Sequence, residues 1–489
     1  MPARRAALPL ASGLLLLGLL GAATPLPRPS DAAGEEKTSL IEGHARALVD
    51  AINAEEPGRR MARLRDAFAE TEVAAAGGGK LAAMLGRIHE ALGPIVFHHV
   101  EILPRAVHLF VQAARTKAWR DLQLRYEPAT PWRFTELVFI AEVTEPVLLP
   151  NGPVESPEVL AWVGRYIDRL AGENGLSGSL LLVRDGKKLV GREFGFADAA
   201  GRKKVTPATR FNLGSGTKMF TAVAIAQLAQ AGKLSFDDPV IKYFPDFPDP
   251  QWARKATIRH LLTHTSGLGD YWTDAYEKAW GSLRRLSDSL PFVYAGKPSF
   301  QPGERFQYSN SGFLLLGIIV EKVSGGDYFD YLKDHVYEPA GMSASGSFLT
   351  DGSVGDLAAP LARGEGGWVV ARHPLRGTSA GGSFSTTGDI LKFSDALRSG
   401  ALLPRGAVED LLRARSGPGE GSFRYGSGFM LWTDQDSPSY GHGGLAPGVN
   451  FEYRYFPRQK ITFVILSNQD NGAYDDLRKN IVKLVTGAR

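Results

Sequence analysis

The alternation of hydrophobic and polar positions divides the sequence into two parts with different secondary structure. In residues 37–143, hydrophobic positions first recur at helical spacing and then alternate along four consecutive segments. Helices followed by an antiparallel meander predict a small α+β domain. The predicted helices lie at residues 40–52, 61–73 and 81–92, and the predicted strands at residues 95–103, 107–114, 119–126 and 134–143.

The hydrophobic pattern of residues 158–489 predicts a second, larger α+β domain. A proline-containing linker at residues 144–157 separates it from the first domain. A helix at residues 156–171, a two-stranded hairpin, three later strands and a closing helix at residues 474–485 indicate an antiparallel sheet flanked by helices. The first of the three later strands is a glycine-rich segment at residues 440–445. Two other helical segments are apolar on all sides, which is typical of helices inside a core. The other four strands are predicted at residues 180–183, 189–196, 450–456 and 460–467, and the apolar helices at residues 219–231 and 313–320.

The N-terminal segment has the layout of a secretory signal peptide. Basic residues 1–5 precede a leucine-rich apolar run at residues 6–20, and the small residues Gly21-Ala22-Ala23 follow. We predict a signal peptide at residues 1–23, cleaved after Ala23 or, as an alternative, after Ala33, and a linker at residues 24–36. The protein is therefore expected to be exported to the periplasm or the extracellular space. An uncleaved N-terminal anchor is the alternative.

Composition narrows the chemistry further. The sequence contains no cysteine, which excludes disulfides, thiolate metal sites and a lipid-modified cysteine. A formal charge of +4 over 489 residues, with the basic residues scattered, argues against a nucleic-acid partner. His98 and His99 adjoin on a predicted strand, where neighbours point to opposite faces, so we expect no metal site there. No residue pattern indicates the function of the N-terminal domain.

The most informative stretch contains Ser215 and Lys218 at the start of an apolar helix. Residues three apart on a helix share one side, so this spacing brings an amine to a hydroxyl. A serine becomes a strong nucleophile when a neighbouring base takes its proton, and a lysine can act as that base when burial lowers its pKa. The spacing predicts a nucleophile and its base, with an N-capping serine and a solvated lysine as the alternative.

A second candidate is the turn Tyr308-Ser309-Asn310, which precedes the apolar helix at residues 313–320. The turn lets Tyr308 and Asn310 point into one cleft while Ser309 points away. A lysine ammonium nearby would push Tyr308 toward the phenolate, which would make it a general base. Asn310 offers a donor and an acceptor to hold the lysine and a substrate amide. His264, in a Thr-His-Thr-Ser-Gly segment, could be catalytic, but we favour a structural role.

The third candidate is His442-Gly443-Gly444-Leu445, in a segment rich in glycine. Glycines in an extended segment suggest a strand edge against which substrate backbone can lie flat. We predict that these four residues bind substrate.

Taken together and in this order, the three motifs resemble those of the serine β-lactamase and penicillin-binding-protein superfamily. The resemblance is narrower with the branch of class C β-lactamases, D-alanyl-D-alanine carboxypeptidases and family VIII esterases. It covers about residues 159–485, includes the His260-to-Leu268 segment, and leaves the small N-terminal domain outside. It implies a β-lactamase-like fold, in which an antiparallel sheet flanked by helices is combined with an all-α region.

The resemblance also implies roles. Ser215 would be the nucleophile, Lys218 and Tyr308 would share the proton transfer, and Asn310 would orient the lysine and the substrate. The backbone amides of Ser215 and Leu445 would form the oxyanion hole. The implied reaction is acyl transfer through a serine ester that water resolves, with no cofactor and no metal.

One departure bears on the substrate. Many β-lactamases of this family carry lysine and threonine where this sequence has His442 and Gly443. Histidine is charged only near or below its pKa, and glycine has no hydroxyl. We therefore expect hydrolysis of a small ester, amide or peptide, of the esterase or D-amino-acid peptidase type, with weak β-lactamase activity or an inactive, cell-wall-binding relative as alternatives. The oligomeric state stays open.

A rival reading places the nucleophile elsewhere. Gly377-Thr378-Ser379-Ala380-Gly381 fits the nucleophile elbow of an α/β-hydrolase. That elbow needs a buried strand immediately before it, and residues 371–376 do not read as one. We therefore favour Ser215 over Ser379.

Overall fold

The structure, a computed structural model, describes residues 31–75, 79–102, 106–143, 147–173, 175–351, 355–364, 367–417, 423–434, 437–469 and 472–487. The predicted signal peptide at residues 1–23 lies outside the described residues. The chain divides into two compact units between Leu148 and Leu149. No helix within the described part of the chain is both long and apolar enough to cross a membrane.

The N-terminal unit consists of four helices followed by a four-stranded antiparallel meander in the order β1-β2-β3-β4. Its helices are α1 (Asp31–Asn53), α2 (Pro57–Ala67), α3 (Glu70–Ala75) and α4 (Gly79–Leu92), and its strands are β1 (Ile95–Ile102), β2 (Val107–Ala113), β3 (Trp119–Tyr126) and β4 (Phe134–Val143). All four strands were predicted within a residue of these bounds. Residues 31–36, expected to be a linker, already belong to α1.

One predicted helix, at residues 61–73, is broken in two. The break falls at Phe68 and Ala69, where the chain pairs with the first residue of β4: the Ala69 amide donates to the Phe134 carbonyl at 2.9 Å. The Phe68 ring also contacts the Phe134 ring edge-on, with the two ring centroids 6.0 Å apart. The spacing of hydrophobic residues within 61–73 carries no information about pairing with a distant strand. It therefore predicted one continuous helix.

The His98-His99 pair differs from its expected geometry. A β-bulge between Phe97 and His99 interrupts the alternation of β1. As a result the two histidines do not face away from each other, and their Nδ1 atoms lie 2.7 Å apart. No group of three or more histidine or carboxylate side chains within the described residues could hold a metal ion. The prediction about opposite faces is therefore wrong.

The second unit is built on a seven-stranded antiparallel sheet in the order β11-β12-β13-β14-β15-β5-β6. The first and last parts of the unit's chain thus join in one sheet, because β5 pairs with β15. Four short strands form two small ribbons outside it. The strands are β5 (Gly178–Arg184), β6 (Lys187–Phe194), β7 (Phe211–Asn212), β8 (Leu361–Gly364), β9 (Gly367–Val370), β10 (Phe384–Ser385), β11 (Phe423–Tyr425), β12 (Met430–Asp434), β13 (Ser437–Ala446), β14 (Val449–Phe456) and β15 (Ile461–Ser467).

Helices flank this sheet and form an all-α region between β7 and β8. The first and last helices of the unit contact each other, and the Asn480 amide donates to the Tyr166 hydroxyl at 3.0 Å. The helices are α5 (Pro157–Glu173), α6 (Thr217–Gln230), α7 (Pro250–Lys255), α8 (Ile258–Leu262), α9 (Asp274–Ala279), α10 (Leu290–Tyr294), α11 (Asn310–Ser324), α12 (Tyr328–Leu332), α13 (Thr387–Ser399), α14 (Arg405–Leu411) and α15 (Gly472–Thr486).

Two of these helices pass through the interior. Nearly every side chain of α6 is buried, and α11 is buried from Ser311 to Val320, as their all-round apolar sequences predicted. The first turn of α6 carries Lys218, and Asn310 is the first residue of α11. Because the two helices contact each other, their first turns bring the first and second motifs into one place.

Candidate active site

Ser215 lies in a single 3-10 turn, Gly214–Gly216, that connects β7 to α6. Gly214 has a left-handed φ of 48°, and its amide donates to the Asn212 side chain at 2.8 Å. Gly216 packs so tightly on Phe451 that an added Cβ would lie 2.3 Å from the ring. The two glycines therefore allow a compressed turn that leaves Ser215 partly exposed in a cleft.

Lys218 is fully buried one turn beyond Ser215. Its Nζ donates to Ser215 Oγ at 3.1 Å, to Asn310 Oδ1 at 2.7 Å and to the Ala380 carbonyl at 2.5 Å. Burial lowers the pKa of Lys218 to about 7, while the charge of Asp270 acts in the opposite direction. A neutral amine within hydrogen-bond distance of the serine is therefore available near neutral pH, as the spacing of the motif predicted.

Asn310 connects the lysine to a carboxylate that the sequence did not reveal. Its amide oxygen accepts from Lys218, and its amide nitrogen donates to Asp270 Oδ2 at 2.6 Å. The other Asp270 oxygen accepts from the Trp272 amide at 3.0 Å. Asp270 thus fixes the orientation of the Asn310 amide. It follows closely on the His260-to-Leu268 segment, but nothing in its spacing from Asn310 indicated this contact.

Tyr308 lies beside the same two groups. Lys218 Nζ is 4.8 Å from the centroid of its ring, and the hydroxyl is hydrogen-bonded to Ser215. Burial raises the pKa of Tyr308 well above its usual value, and the bond to Ser215 offsets only part of this rise. The expected shift toward a phenolate is therefore wrong. The raised pKa favours the protonated phenol, whose hydroxyl lies within hydrogen-bond distance of Ser215.

His264 has the structural environment that we favoured for it. It is fully buried, it has a left-handed φ of 56°, and its Nδ1 accepts from the Ser309 amide at 3.1 Å. Its ring lies against Tyr308, with the centroids 4.1 Å apart. Burial, followed by the charge of Lys218, holds the pKa of His264 well below its usual range. Ser309 points away from the cleft, as predicted, and donates to the Gly269 carbonyl at 2.8 Å.

The third motif lies on β13, where that strand has one free edge. β12 pairs with β13 only as far as Gly441, whereas β14 pairs with β13 through Ala446. Residues 442–446 therefore present an open edge beside Ser215. The contact is close: a Cβ on Gly444 would lie 1.9 Å from the Leu213 carbonyl oxygen and 3.1 Å from the Ser215 amide nitrogen.

The same packing holds two backbone amides together. A Cβ on Gly214 would lie 3.1 Å from the Leu445 amide nitrogen, so the Leu445 and Ser215 nitrogens flank one small space. Leu445 lines the cleft, and its side chain is among the most exposed large hydrophobic groups of the described residues. This arrangement is compatible with the expected oxyanion hole. Gly443 is looser, since its added Cβ would meet only the Phe451 carbonyl oxygen at 3.7 Å.

The His442 side chain is directed away from the cleft. It is fully buried, its Nδ1 donates to the Gly443 carbonyl, and its Nε2 accepts from the Tyr425 hydroxyl at 2.9 Å. Burial, followed by the charge of Lys218, lowers the pKa of His442 to about 3. The imidazole is enclosed and does not line the cleft, so the geometry supports a role of His442 in holding the strand rather than the expected contact of its side chain with substrate.

Around Ser215 the cleft has a volume of about 440 Å³. One wall is aromatic, and Glu277 accepts from the Trp272 indole at 2.9 Å. The rings of this wall belong to Tyr271, Trp272, Tyr276 and Trp280.

Ser379 does not have the environment of a nucleophile. It is fully buried, and its carbonyl accepts from the Thr221 hydroxyl at 2.7 Å. Residues 371–376, immediately upstream, form no strand. The elbow interpretation is therefore excluded, as its sequence context predicted.

Comparisons with known proteins agree with this geometry. Residues 163–487 match the family described as Beta-lactamase. The chain is similar to "Putative penicillin-binding protein PbpX" of Bacillus subtilis, with 31% identity over 62% of this chain and 73% of that protein. It is also similar to "Penicillin-binding protein 4*" of the same organism, with 30% identity over 62% of this chain and 70% of that protein.

Among solved structures, a penicillin-binding protein from Bacillus halodurans shares 35% identity with a TM-score of 0.59. That alignment covers 65% of this chain and 99% of the other. The family match extends over most of the chain and contains all three motifs. The chain therefore belongs to the β-lactamase family, within the superfamily of serine β-lactamases and penicillin-binding proteins.

Proposed function

We propose that the protein hydrolyses small esters or amides, of the esterase or D-amino-acid peptidase type, through an acyl-enzyme on Ser215. The observation that carries this proposal is the 3.1 Å hydrogen bond between Ser215 and the buried Lys218, whose pKa is about 7. A general base works best when its pKa is close to the working pH, because it is then both unprotonated and able to accept a proton.

The first half-reaction begins when Ser215 Oγ attacks the acyl carbon and its proton passes to Lys218 Nζ. The negative charge on the former carbonyl oxygen is stabilised by the amides of Ser215 and Leu445. The proton then reaches the leaving oxygen or nitrogen through the neutral Tyr308 hydroxyl, and the bond to the leaving group breaks. Asn310, held by Asp270, keeps Lys218 directed at Ser215 throughout.

In the second half-reaction a water molecule attacks the acyl-enzyme. Lys218 takes one water proton, the ester bond to Ser215 breaks, and the proton returns to Ser215 Oγ. The carboxylic acid leaves and the site regains its starting state. All steps use side chains and two backbone amides of this chain, and we propose no cofactor.

A second candidate is penicillin binding with slow or no turnover, which the names of the two Bacillus subtilis relatives favour. His442 is neutral and enclosed and Gly443 has no hydroxyl, so this motif contributes neither a fixed charge nor a donor to an antibiotic carboxylate. We therefore place β-lactam turnover below ester hydrolysis.

Intact-protein mass spectrometry separates these candidates. The mature protein and its Ser215→Ala variant are exposed to a p-nitrophenyl ester, a penicillin and a fluorophosphonate. We expect adducts that require Ser215, with the ester-derived acyl group clearing faster than the penicilloyl group. Equal clearance of both would favour a β-lactamase, and no adduct from any reagent would leave a cell-wall-binding role.

We also propose that residues 1–23 direct export and that the enzyme acts in the periplasm or outside the cell. The basic, apolar and small-residue order of that segment supports this. N-terminal sequencing of the protein recovered from an osmotic-shock or culture fraction is expected to start at residue 24. Recovery of an uncleaved chain in the membrane fraction would contradict the proposal in favour of an anchor.

A further inference from the structure

The cleft contains a cation that the mechanism does not use. Arg372, in the segment that follows β9, lines the cleft and is exposed. Its guanidinium lies 5.8 Å from the centroid of the Trp280 ring, on the aromatic wall. Among the described residues no carboxylate lies within ion-pair distance of it. Arg372 therefore presents a charge to the cleft that no described acidic group neutralises.

The other charged groups of the cleft are already engaged. Arg376 donates to the Ser347 carbonyl at 3.2 Å, and its guanidinium covers the Phe329 ring at 3.7 Å. Asp270 and Glu277 accept the hydrogen bonds described above. An anionic group of a ligand in the cleft would therefore bind the Arg372 guanidinium, which is free to reorient toward it.

The backbone beside Arg372 is fixed next to the open edge of β13. His373 donates from Nε2 to the Pro447 carbonyl at 2.7 Å, immediately beyond the end of that strand. On the other side, the Ala371 amide donates to the Pro360 carbonyl at 2.8 Å. A substrate that lies along residues 442–446 and extends past Leu445 therefore runs toward Arg372.

From this placement we infer that Arg372 binds a carboxylate of the substrate and selects small anionic esters or amides. The third motif supplies no cation to the cleft, since His442 is enclosed, whereas Arg372, in the segment after β9, lines it. This inference rests on the proposed function for the site but does not depend on which acyl group is cleaved. Arg372 contacts no reacting atom and acts on specificity.

The test compares matched substrates that differ in one charge. For the acyl side, these are mono-4-nitrophenyl glutarate and its methyl ester, and for the leaving side, 4-acetoxybenzoate and its methyl ester. The wild type is expected to prefer the carboxylate of at least one pair. In Arg372→Gln, kcat/KM for that carboxylate falls about tenfold, because a charged hydrogen bond at an exposed site is lost. Its methyl ester changes less than about twofold.

Two controls separate binding from folding. Arg372→Lys keeps the charge and is expected to retain part of the preference. Lys278→Gln, on α9 and outside the cleft lining, removes one positive charge from the same region and is expected to leave both ratios unchanged. A similar fall for the charged and the neutral ester in Arg372→Gln would show a structural role and overturn the inference. Persistence of the preference would do the same.

A binding measurement keeps the inference testable if no ester turns over. In the Ser215→Ala background, N-acetylglycine and N-acetylglycinamide are titrated by calorimetry with and without Arg372→Gln. Tighter binding of the acid, lost on substitution, supports the carboxylate site even if the hydrolase proposal fails. Equal binding of acid and amide in this background, together with ester turnover by the protein that retains Ser215, refutes the carboxylate site alone.

Discussion

Substitution of Gly444 by alanine should disable the chemistry while leaving most of the fold in place. The added Cβ would lie 1.9 Å from the Leu213 carbonyl oxygen and 3.1 Å from the Ser215 amide nitrogen. The first contact is too short to exist, so β13 and the Ser215 turn must separate by about 1 Å to reach a tolerable distance. That displacement falls on the two segments that carry the proposed oxyanion donors.

The magnitude follows from what the separation disrupts. Loss of one oxyanion-hole donor costs about 10²–10³ in kcat, and a misplacement of about 1 Å can cost about a hundredfold. We therefore expect Gly444→Ala to lower kcat for a neutral p-nitrophenyl ester by about 10²–10³. Labelling of Ser215 by a fluorophosphonate should slow as well, because that reaction also develops charge on an oxygen in the same space.

Gly443→Ala is the matched control. It adds the same methyl group one residue away on the same strand, where the nearest atom is the Phe451 carbonyl oxygen at 3.7 Å. We expect fluorophosphonate labelling of Ser215 to slow less than about threefold, since this ordinary van der Waals contact leaves β13 and the Ser215 turn in place. Thermal unfolding of both variants reports whether the fold survives. Equal activity of the two variants at equal stability would refute the role assigned to the Gly444 contact.

Three further predictions concern the proton transfer and the nucleophile. First, kcat/KM for a neutral ester should rise with pH around a midpoint of about 7, because only unprotonated Lys218 can take the serine proton; a flat profile between pH 6 and 8 would exclude it as the titrating base. Second, Asp270→Asn removes the charge that raises the pKa of Lys218, so this midpoint should move to lower pH, and kcat should fall because asparagine has one acceptor oxygen for two donors, the Asn310 side-chain amide and the Trp272 backbone amide; a midpoint at higher pH would contradict the assigned sign. Third, fluorophosphonate labelling should survive in Ser379→Ala and vanish in Ser215→Ala, and the reverse result would restore the elbow interpretation.

The sequence predicted the members of the site better than their orientation. The first two motifs lie at the starts of two buried helices, and the third lies on a strand of the seven-stranded sheet. The hydrophobic pattern of the sequence predicted these elements. The direction of the His442 side chain could not be predicted. Alternate residues of a strand face opposite sides of the sheet, and the sequence does not indicate which side faces the cleft. Its glycine neighbours suggested a binding surface, but the surface is the backbone edge rather than the imidazole.

Asp270 and Arg372 were missed for a different reason. Each acts through a partner distant in sequence: Asp270 contacts Asn310 across 40 residues, and His373, which holds Arg372 in place, contacts Pro447 across 74 residues. Periodicity and local turns carry no information about such pairings. The same limit explains why the helix break at Phe68 was not foreseen, since its cause is a strand that starts 66 residues later.

The buried bases around Ser215 explain how one lysine can serve as the base of this site. Lys218, His264 and His442 are all fully buried, and the charge of Lys218 lowers the pKa of both histidines. The three groups thus compete for protons in a space that disfavours charge, and Lys218, with its pKa of about 7, holds the proton most readily. Because the histidines stay neutral, two opposing effects set the pKa of Lys218: burial lowers it, and the charge of Asp270 raises it. A permanent cation at position 442 would repel the Lys218 ammonium and lower the pKa of Lys218 further. The neutral histidine of the third motif therefore keeps Lys218 effective as a base near neutral pH. It also leaves recognition of an anion to Arg372.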